Sequence, residues 1–200
     1  EPITEKINLD IHSFGYTLCV VDTGGNHANL TQDYADITIE CKKISNALGV
    51  DFLRDADSDR FYKSIPELRR SCGDRAVLRA FHVYADNDRV AKQVAALREG
   101  DFSTFLRLVS ESGHSSWEYL QNVIPAGYKE HQEVAVTIAA AKHFLHGEGA
   151  VRVHGGGFAG TVQAFVPLTR LDSFKTEMEA ILGKGRCHIL SIRPEGGAVL

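Results

Sequence analysis

Three consecutive glycines stand inside the segment His154–Gly160 (HGGGFAG). Without side chains, the backbone N–H groups of Gly155, Gly156 and Gly157 are unshielded. Such a loop can curl into a nest of donors around an anion, usually a phosphate. The same residues also suit a hairpin turn that needs positive φ. The segment is not a P-loop, because no Lys-Ser/Thr follows it. It is not the dinucleotide fingerprint either, because a strand comes next rather than a helix. A second candidate is Asp22–Tyr34 (DTGGNHANLTQDY), with two glycines, polar side chains and a helix start whose amides point outwards. Strand-end loops often line ligand sites, although a solvated turn followed by an N-cap accounts for the same residues. Tyr34 fits an apolar helix face through its ring, while its hydroxyl can reach a ligand.

Other groupings carry less chemistry. His143 and His146 sit at i, i+3 near a helix end, where histidine also suits the dipole, and no carboxylate or thiol joins them at ligand spacing. Gly113-His114-Ser115-Ser116 puts His beside Ser, but a nucleophilic dyad is normally assembled in space rather than by adjacency, so this stretch reads as a helix boundary. Asp55–Arg60 reads as a solvated loop. No metal site and no catalytic residue is assigned.

The elements that must hold these loops follow from periodicity. Phe14–Val21 is an apolar, β-forming run that stops at a DTGGN turn. Thr31 or Asp33 is placed to cap a helix whose face is Tyr34, Ile37, Cys41, Ile44 and Leu48, with Gly49 ending it. Asp51–Ser64 reads as loop or short helical turns, and Pro66 as the first turn of a short helix through Cys72. A long helix spans Asp74–Glu99. Asp101 caps the next, Phe102–Ser112, which Gly113 closes, and Trp117–Val123 and Glu130–Leu145 read as two more. Ala150–His154 and Thr161–Val166 are strands around the glycine loop. Asp172 caps a helix through Leu182, and His188–Ile192 is the last strand. The result is an α+β fold, a ferredoxin-like βαββαβ core with helices inserted in the first crossover. A four-stranded antiparallel sheet with helices on one face is its natural packing.

Composition narrows the function. The 200 residues carry a net charge of −4, with 44% hydrophobic and 24% charged residues. That is ordinary globular composition, and the mildly acidic balance leaves no footprint for nucleic acid or an anionic membrane. No run approaches a membrane span, and EPITEKINLD has no signal-peptide core. Cys19, Cys41, Cys72 and Cys187 are scattered and form no CxxC, which suits a reducing cytosol, so a cytoplasmic location is expected. The chain begins with Glu rather than Met, which points to processing or to a fragment.

Several ordered stretches resemble the galactokinases. Residues 22–55, DTGGNHANLTQDYADITIECKKISNALGVDFLRD, are similar to the family segment that runs from a strand-end turn through His and a Glu/Asp-Tyr pair into a basic helix with Glu-Cys, Leu-Gly and Leu-Arg. Residues 74–105 resemble its pattern of Arg, Ala, His-Val, Glu-Asn, Arg-Val and a closing Gly-Asp. GHSS resembles its Ser-His-x-Ser, and RPEGGAVL its C-terminus. RVHGGGFAG resembles the third signature loop of the galactokinase, homoserine kinase, mevalonate kinase and phosphomevalonate kinase (GHMP) superfamily. His154 stands where the family usually has Thr, Ala159 where it has Gly, and Asp86 where it has Glu. The methyl of Ala159 is expected to shift the path of the loop.

The resemblance implies a GHMP kinase C-terminal domain over residues 31–200, with residues 1–30 a strand and turn continuing from an N-terminal domain against which the chain packs. It implies that Tyr34 hydrogen-bonds the sugar and that Gly155, Gly156 and Gly157 line the nucleotide phosphates. It also implies that ATP and Mg²⁺ serve phosphoryl transfer to the anomeric hydroxyl of galactose. The family's sugar-binding signature, its serine-rich ATP loop and its catalytic Asp and Arg have no counterpart in the sequence. The chain alone is therefore expected not to phosphorylate sugar. Two alternatives are a non-catalytic sugar-sensing module on the same scaffold and a free-standing regulatory domain.

Overall fold

The computed structural model describes residues 6, 7 and 9–192. The closing RPEGGAVL stretch lies outside the described residues. Four strands, β1 (Tyr16–Asp22), β2 (Ala150–Val153), β3 (Thr161–Pro167) and β4 (Cys187–Leu190), form one antiparallel sheet in the order β2-β3-β1-β4. This is the ferredoxin-like order, with β1 central, and it agrees with the βαββαβ reading. The long first crossover holds α1 (Thr31–Ala47), α2 (Ser58–Cys72), α3 (Asp74–Glu99), α4 (Phe102–Ser115) and α5 (Glu133–Leu145). The second holds α6 (Leu171–Leu182).

Strand alternation divides the sheet into two faces. Cys19, Val21, Val151, Val153, Val162, Ala164 and Val166 pack beneath α5 and α6, against Val134, Ile138, Leu145, Phe174 and Met178. Each of the larger side chains contributes roughly 1.5–3 kcal/mol by leaving water, so this layer is the main source of stability. Contrary to the expected one-sided packing, the other face is also covered over β2 and β3. There Phe102, Phe105, Leu106 and Val109 of α4 pack on Ala150 and Phe165. The outward residues of β2 and β3 are apolar at those two positions, and that apolar surface draws α4 onto the second face.

The structure corrects several boundaries. α2 starts at Ser58 rather than near Pro66, and Asp57 caps it by accepting the Asp59 amide (3.2 Å). Part of the expected Asp55–Arg60 loop is therefore helix. Pro66 lies inside, where it removes one ladder bond but leaves Phe61 and Leu68 buried on the inner face. Neither Thr31 nor Asp33 caps α1: Leu30 holds that position, and Asp33 instead accepts the Ala126 amide across the fold (3.0 Å). α6 likewise begins at Leu171 with no side-chain cap from Asp172. Gly113 does not close α4. A Cβ there would lie 2.8 Å from the Arg152 Cβ and 3.1 Å from the Val151 carbonyl, so glycine serves close approach of helix to strand. A single π turn, Ser116–Leu120, replaces the expected Trp117–Val123 helix.

Asp101 does cap α4. It accepts the Thr104 amide (3.0 Å) and the Ser103 hydroxyl (2.8 Å), and these bonds, the Thr104 amide first, hold its carboxyl down to about 2. A depressed folded value means this stabilisation is present above the unfolded value of 3.8 and is lost as pH falls through about 2. Asp101→Asn keeps a capping oxygen but removes the titration. Its melting temperature is expected to fall less steeply than that of the wild type between about pH 4 and pH 2. Parallel curves from calorimetry would show that another group carries the acid response.

Candidate functional site

The two sequence candidates meet at one end of the sheet. β1 ends at Asp22 opposite Thr161, where β3 begins, so the DTGGN turn and the glycine loop leave adjacent strands side by side. Thr23 staples them: its amide and its hydroxyl both donate to the Gly160 carbonyl, at 2.9 and 2.8 Å. Asp22 accepts the Gly24 amide on one carboxylate oxygen and Arg186 on the other, each at 2.9 Å. Both of its oxygens are thus engaged in holding the turn to the segment that enters β4.

Tyr34, in the first turn of α1, leans over the loop. Its hydroxyl donates to the Gly157 carbonyl at 2.7 Å, and its ring packs edge-on against Phe158 (centroids 5.3 Å apart, interplanar 86°). A Cβ on Gly156 would lie 2.9 Å from the Tyr34 ring. Burial, and then the neighbouring Asp33 carboxylate, push the phenol above its ordinary value, so it stays neutral. The phenol and the glycine loop are one contiguous constellation.

The loop's shape is over-determined from below. Asn122, 2% exposed, accepts the Phe158 amide on its backbone carbonyl (2.5 Å) and donates from Nδ2 to the Gly156 carbonyl (3.1 Å). Gly155 and Gly157 take φ of 69 and 85°, and Phe158, a bulky residue rarely found there, takes 60°. Strain of this kind, about 1–3 kcal/mol per residue, persists where the surroundings fix it, and it clusters at functional sites. Ala159 keeps an ordinary φ, and its methyl lies beside Gly25. The amides of Phe158 and Ala159 are used internally, by Asn122 and by Gly157. Those of Gly155 and Gly156 have no protein acceptor among the described residues and lie on exposed residues. Open space surrounds Gly155.

Sequence reading missed three members of this constellation. Asn122 follows an unpredicted π turn. Arg186 precedes the last strand. His27, named only as part of the resemblance, places Nδ1 2.9 Å from the Tyr34 hydroxyl. The GHSS stretch holds a different surprise. Ser115 pairs with His82 (2.9 Å), whose far nitrogen is 3.7 Å from Asp86. This resembles a catalytic triad, but Ser115 and His82 are buried between α3 and α4, and Asp86 is claimed by Arg89 and Ser112. Burial holds the imidazole below its ordinary value, against the pull of Asp86, so it acts as a neutral internal brace. His143 and His146 pack ring to ring, with His146 in the left-handed C-cap position. Among the described residues no group of three or more His, Cys, Asp or Glu could hold a metal ion, and no helix is long and apolar enough to cross a membrane.

The four-stranded antiparallel sheet in this order, flanked by helices, is a mixed α+β fold shared with a solved galactokinase. No family model matches the chain. Over about four fifths of its length the chain is similar in sequence to galactokinases. It is 27% identical to a galactokinase of Actinobacillus pleuropneumoniae over 161 residues, covering 80% of this chain and 40% of that protein. It is 29% identical to one of Thermotoga neapolitana over 165 residues, covering 82% and 43%. The crystal structure of Lactococcus lactis galactokinase complexed with galactose superposes with a TM-score of 0.66 at 19% identity, covering 88% of this chain and 44% of that one. The chain thus spans about two fifths of the length of the curated relatives it matches.

Proposed function

We propose that this chain is the C-terminal domain of a galactokinase-type sugar kinase. In this reading Tyr34 holds a sugar hydroxyl, and the free amides at Gly155 and Gly156, with Gly157 shaping the turn, face the phosphates of ATP. The observation that carries it is the 2.7 Å bond from the Tyr34 hydroxyl to the Gly157 carbonyl, which makes sugar-facing and phosphate-facing groups neighbours, as transfer between them requires. Open space at Gly155 and unpaired amides suit an anion in a backbone nest, and Mg²⁺ would arrive with the nucleotide. The reaction is transfer of the γ-phosphoryl group to the anomeric hydroxyl of galactose, in the cytoplasm. Residues 1–30 would continue from an N-terminal kinase domain and lend β1 to the domain formed by residues 31–200.

Both oxygens of Asp22 are engaged, and in this reading the catalytic Asp and Arg lie outside the chain. A coupled assay with ATP and galactose is therefore expected to show no turnover by the chain alone, and turnover at ordinary kinase rates would overturn that expectation. Binding is tested separately by calorimetry with galactose. Tyr34→Phe removes one sugar partner and leaves the fold intact, and it is expected to weaken galactose about five- to tenfold, the value of a single hydrogen bond. Unchanged affinity would remove Tyr34 from the site.

A further inference from the structure

His27 has no place in the reading so far, yet its ring sits against both halves of the site. Its Nδ1 is 2.9 Å from the Tyr34 oxygen, and the two rings lie nearly parallel (21°, centroids 6.3 Å apart). Its Nε2 edge faces Gly160, where a Cβ would come within 2.8 Å of it, so glycine leaves room for the ring as it stands. Gly160 also receives both Thr23 bonds, which fixes the platform on which the imidazole rests.

Proton counting at the phenol decides the polarity. A neutral phenol has one hydrogen to give and two lone pairs. The Gly157 carbonyl, 2.7 Å away, can only accept, so it takes that hydrogen. If instead the hydrogen pointed at His27, two lone-pair oxygens would face each other at 2.7 Å with no proton between them. The contact to His27 must therefore run the other way, with Nδ1–H donating into the phenol oxygen. This requires a hydrogen on Nδ1. It also uses one of the two lone pairs and polarises the hydroxyl further towards Gly157. One lone pair remains.

We propose that His27 is a positioning residue that locks the Tyr34 phenol as a pure acceptor, so that at this point the site takes a hydroxyl donor of a neutral polyol and rejects an anion. This rests on the sugar reading above, but its consequence differs. A phenol that donated would tolerate a ligand fluorine, which accepts weakly. A phenol that only accepts requires the ligand's own hydrogen.

Two measurements separate this proposal from the reading beneath it. Long-range ¹H–¹⁵N spectra of the free chain, with His27 assigned by its loss in His27→Gln, report the tautomer without any ligand. A protonated Nδ1 and an unprotonated Nε2 are expected, with the preference lapsing in Tyr34→Phe. The opposite tautomer overturns the proposal. Calorimetry with galactose and its monodeoxy and monofluoro analogues then tests the consequence. At the ring position that faces Tyr34, fluorine and hydrogen are expected to cost the same, about five- to tenfold, and both losses are expected to vanish in Tyr34→Phe. A fluoro analogue that keeps galactose-like affinity where the deoxy analogue loses it overturns the acceptor role. His27→Gln, which retains an N–H donor, is expected to bind more tightly than His27→Phe, and equal affinities would count against the positioning role. An Nδ1–H tautomer in a chain that binds no galactose would support the lock and sink the sugar reading.

Discussion

Gly157→Ala is expected to lower the melting temperature by about 6–12 °C and to abolish galactose binding, whereas Gly155→Ala, two residues away, is expected to cost only about 2–4 °C. Both glycines have positive φ, so both substitutions carry the penalty of a side chain in the left-handed region, about 1 kcal/mol. They differ in what the new methyl meets. At Gly155 nothing lies within 4 Å. At Gly157 the methyl would sit 2.0 Å from the backbone carbonyl of Asn122, a group already fixed by the Phe158 amide. Backbone cannot swing aside as a flexible side chain does. The loop must lift off Asn122, giving up the bonds from Phe158 and to Gly156 and freeing Tyr34 from Gly157. Those losses bring the total to about 3 kcal/mol. Scanning calorimetry of the two variants side by side is the check, and equal shifts would mean that Asn122 does not seat the loop.

Glu40→Ala is expected to be as damaging, about 3 kcal/mol or more by urea unfolding, although Glu40 makes no bond to the glycine loop. The residue joins two arginines of α3. Arg75 forks onto it with bonds of 2.6–3.2 Å and also reaches Asp36 (2.9 Å). Arg79, 2% exposed, has Nη1 2.9 Å from a Glu40 oxygen, close enough for an ion pair but off the angle for a hydrogen bond. Its Nε donates to the Leu120 carbonyl (3.2 Å), tying the π turn to the same node. Removing Glu40 leaves the Arg79 charge buried without its partner, and that orphaned charge is the main cost. Adding Arg79→Met to Glu40→Ala is therefore expected to restore much of the lost stability. A double variant no more stable than the single one would assign the loss to packing instead. The node also aligns α1, so Glu40→Ala is expected to displace Tyr34.

These cases show which physical signals the sequence exposed. The strand and helix order was legible because β1 is an apolar, β-forming run ended by a turn, and β3 and α6 carry clean periodicity. The sheet order then followed from connection rules rather than from any residue. The glycine loop stood out because three glycines in a row leave the backbone bare, although a hairpin turn needing positive φ accounts for the same residues. What could not be read was anything decided by approach across the fold. Gly113 looked like a terminator, but its reason for being glycine is Arg152, far along the chain. α2 was hidden by Pro66, although Phe61, Ile65, Leu68 and Cys72 kept a helical spacing around it. Ser115 and His82 are 33 positions apart, so their pairing had no local trace. Asn122 stands in an unremarkable stretch, yet it seats the loop on which the site depends.

The account turns on one constellation, the Tyr34 phenol bonded to the glycine loop. Its most direct test is a ¹⁵N-resolved NMR titration of the chain with galactose, followed by ADP. Galactose is expected to move the amides of His27–Tyr34, and ADP those of Gly155–Gly157, with the galactose shifts lost in Tyr34→Phe. Shifts that fall elsewhere on the chain, or galactose shifts that survive in Tyr34→Phe, would contradict it.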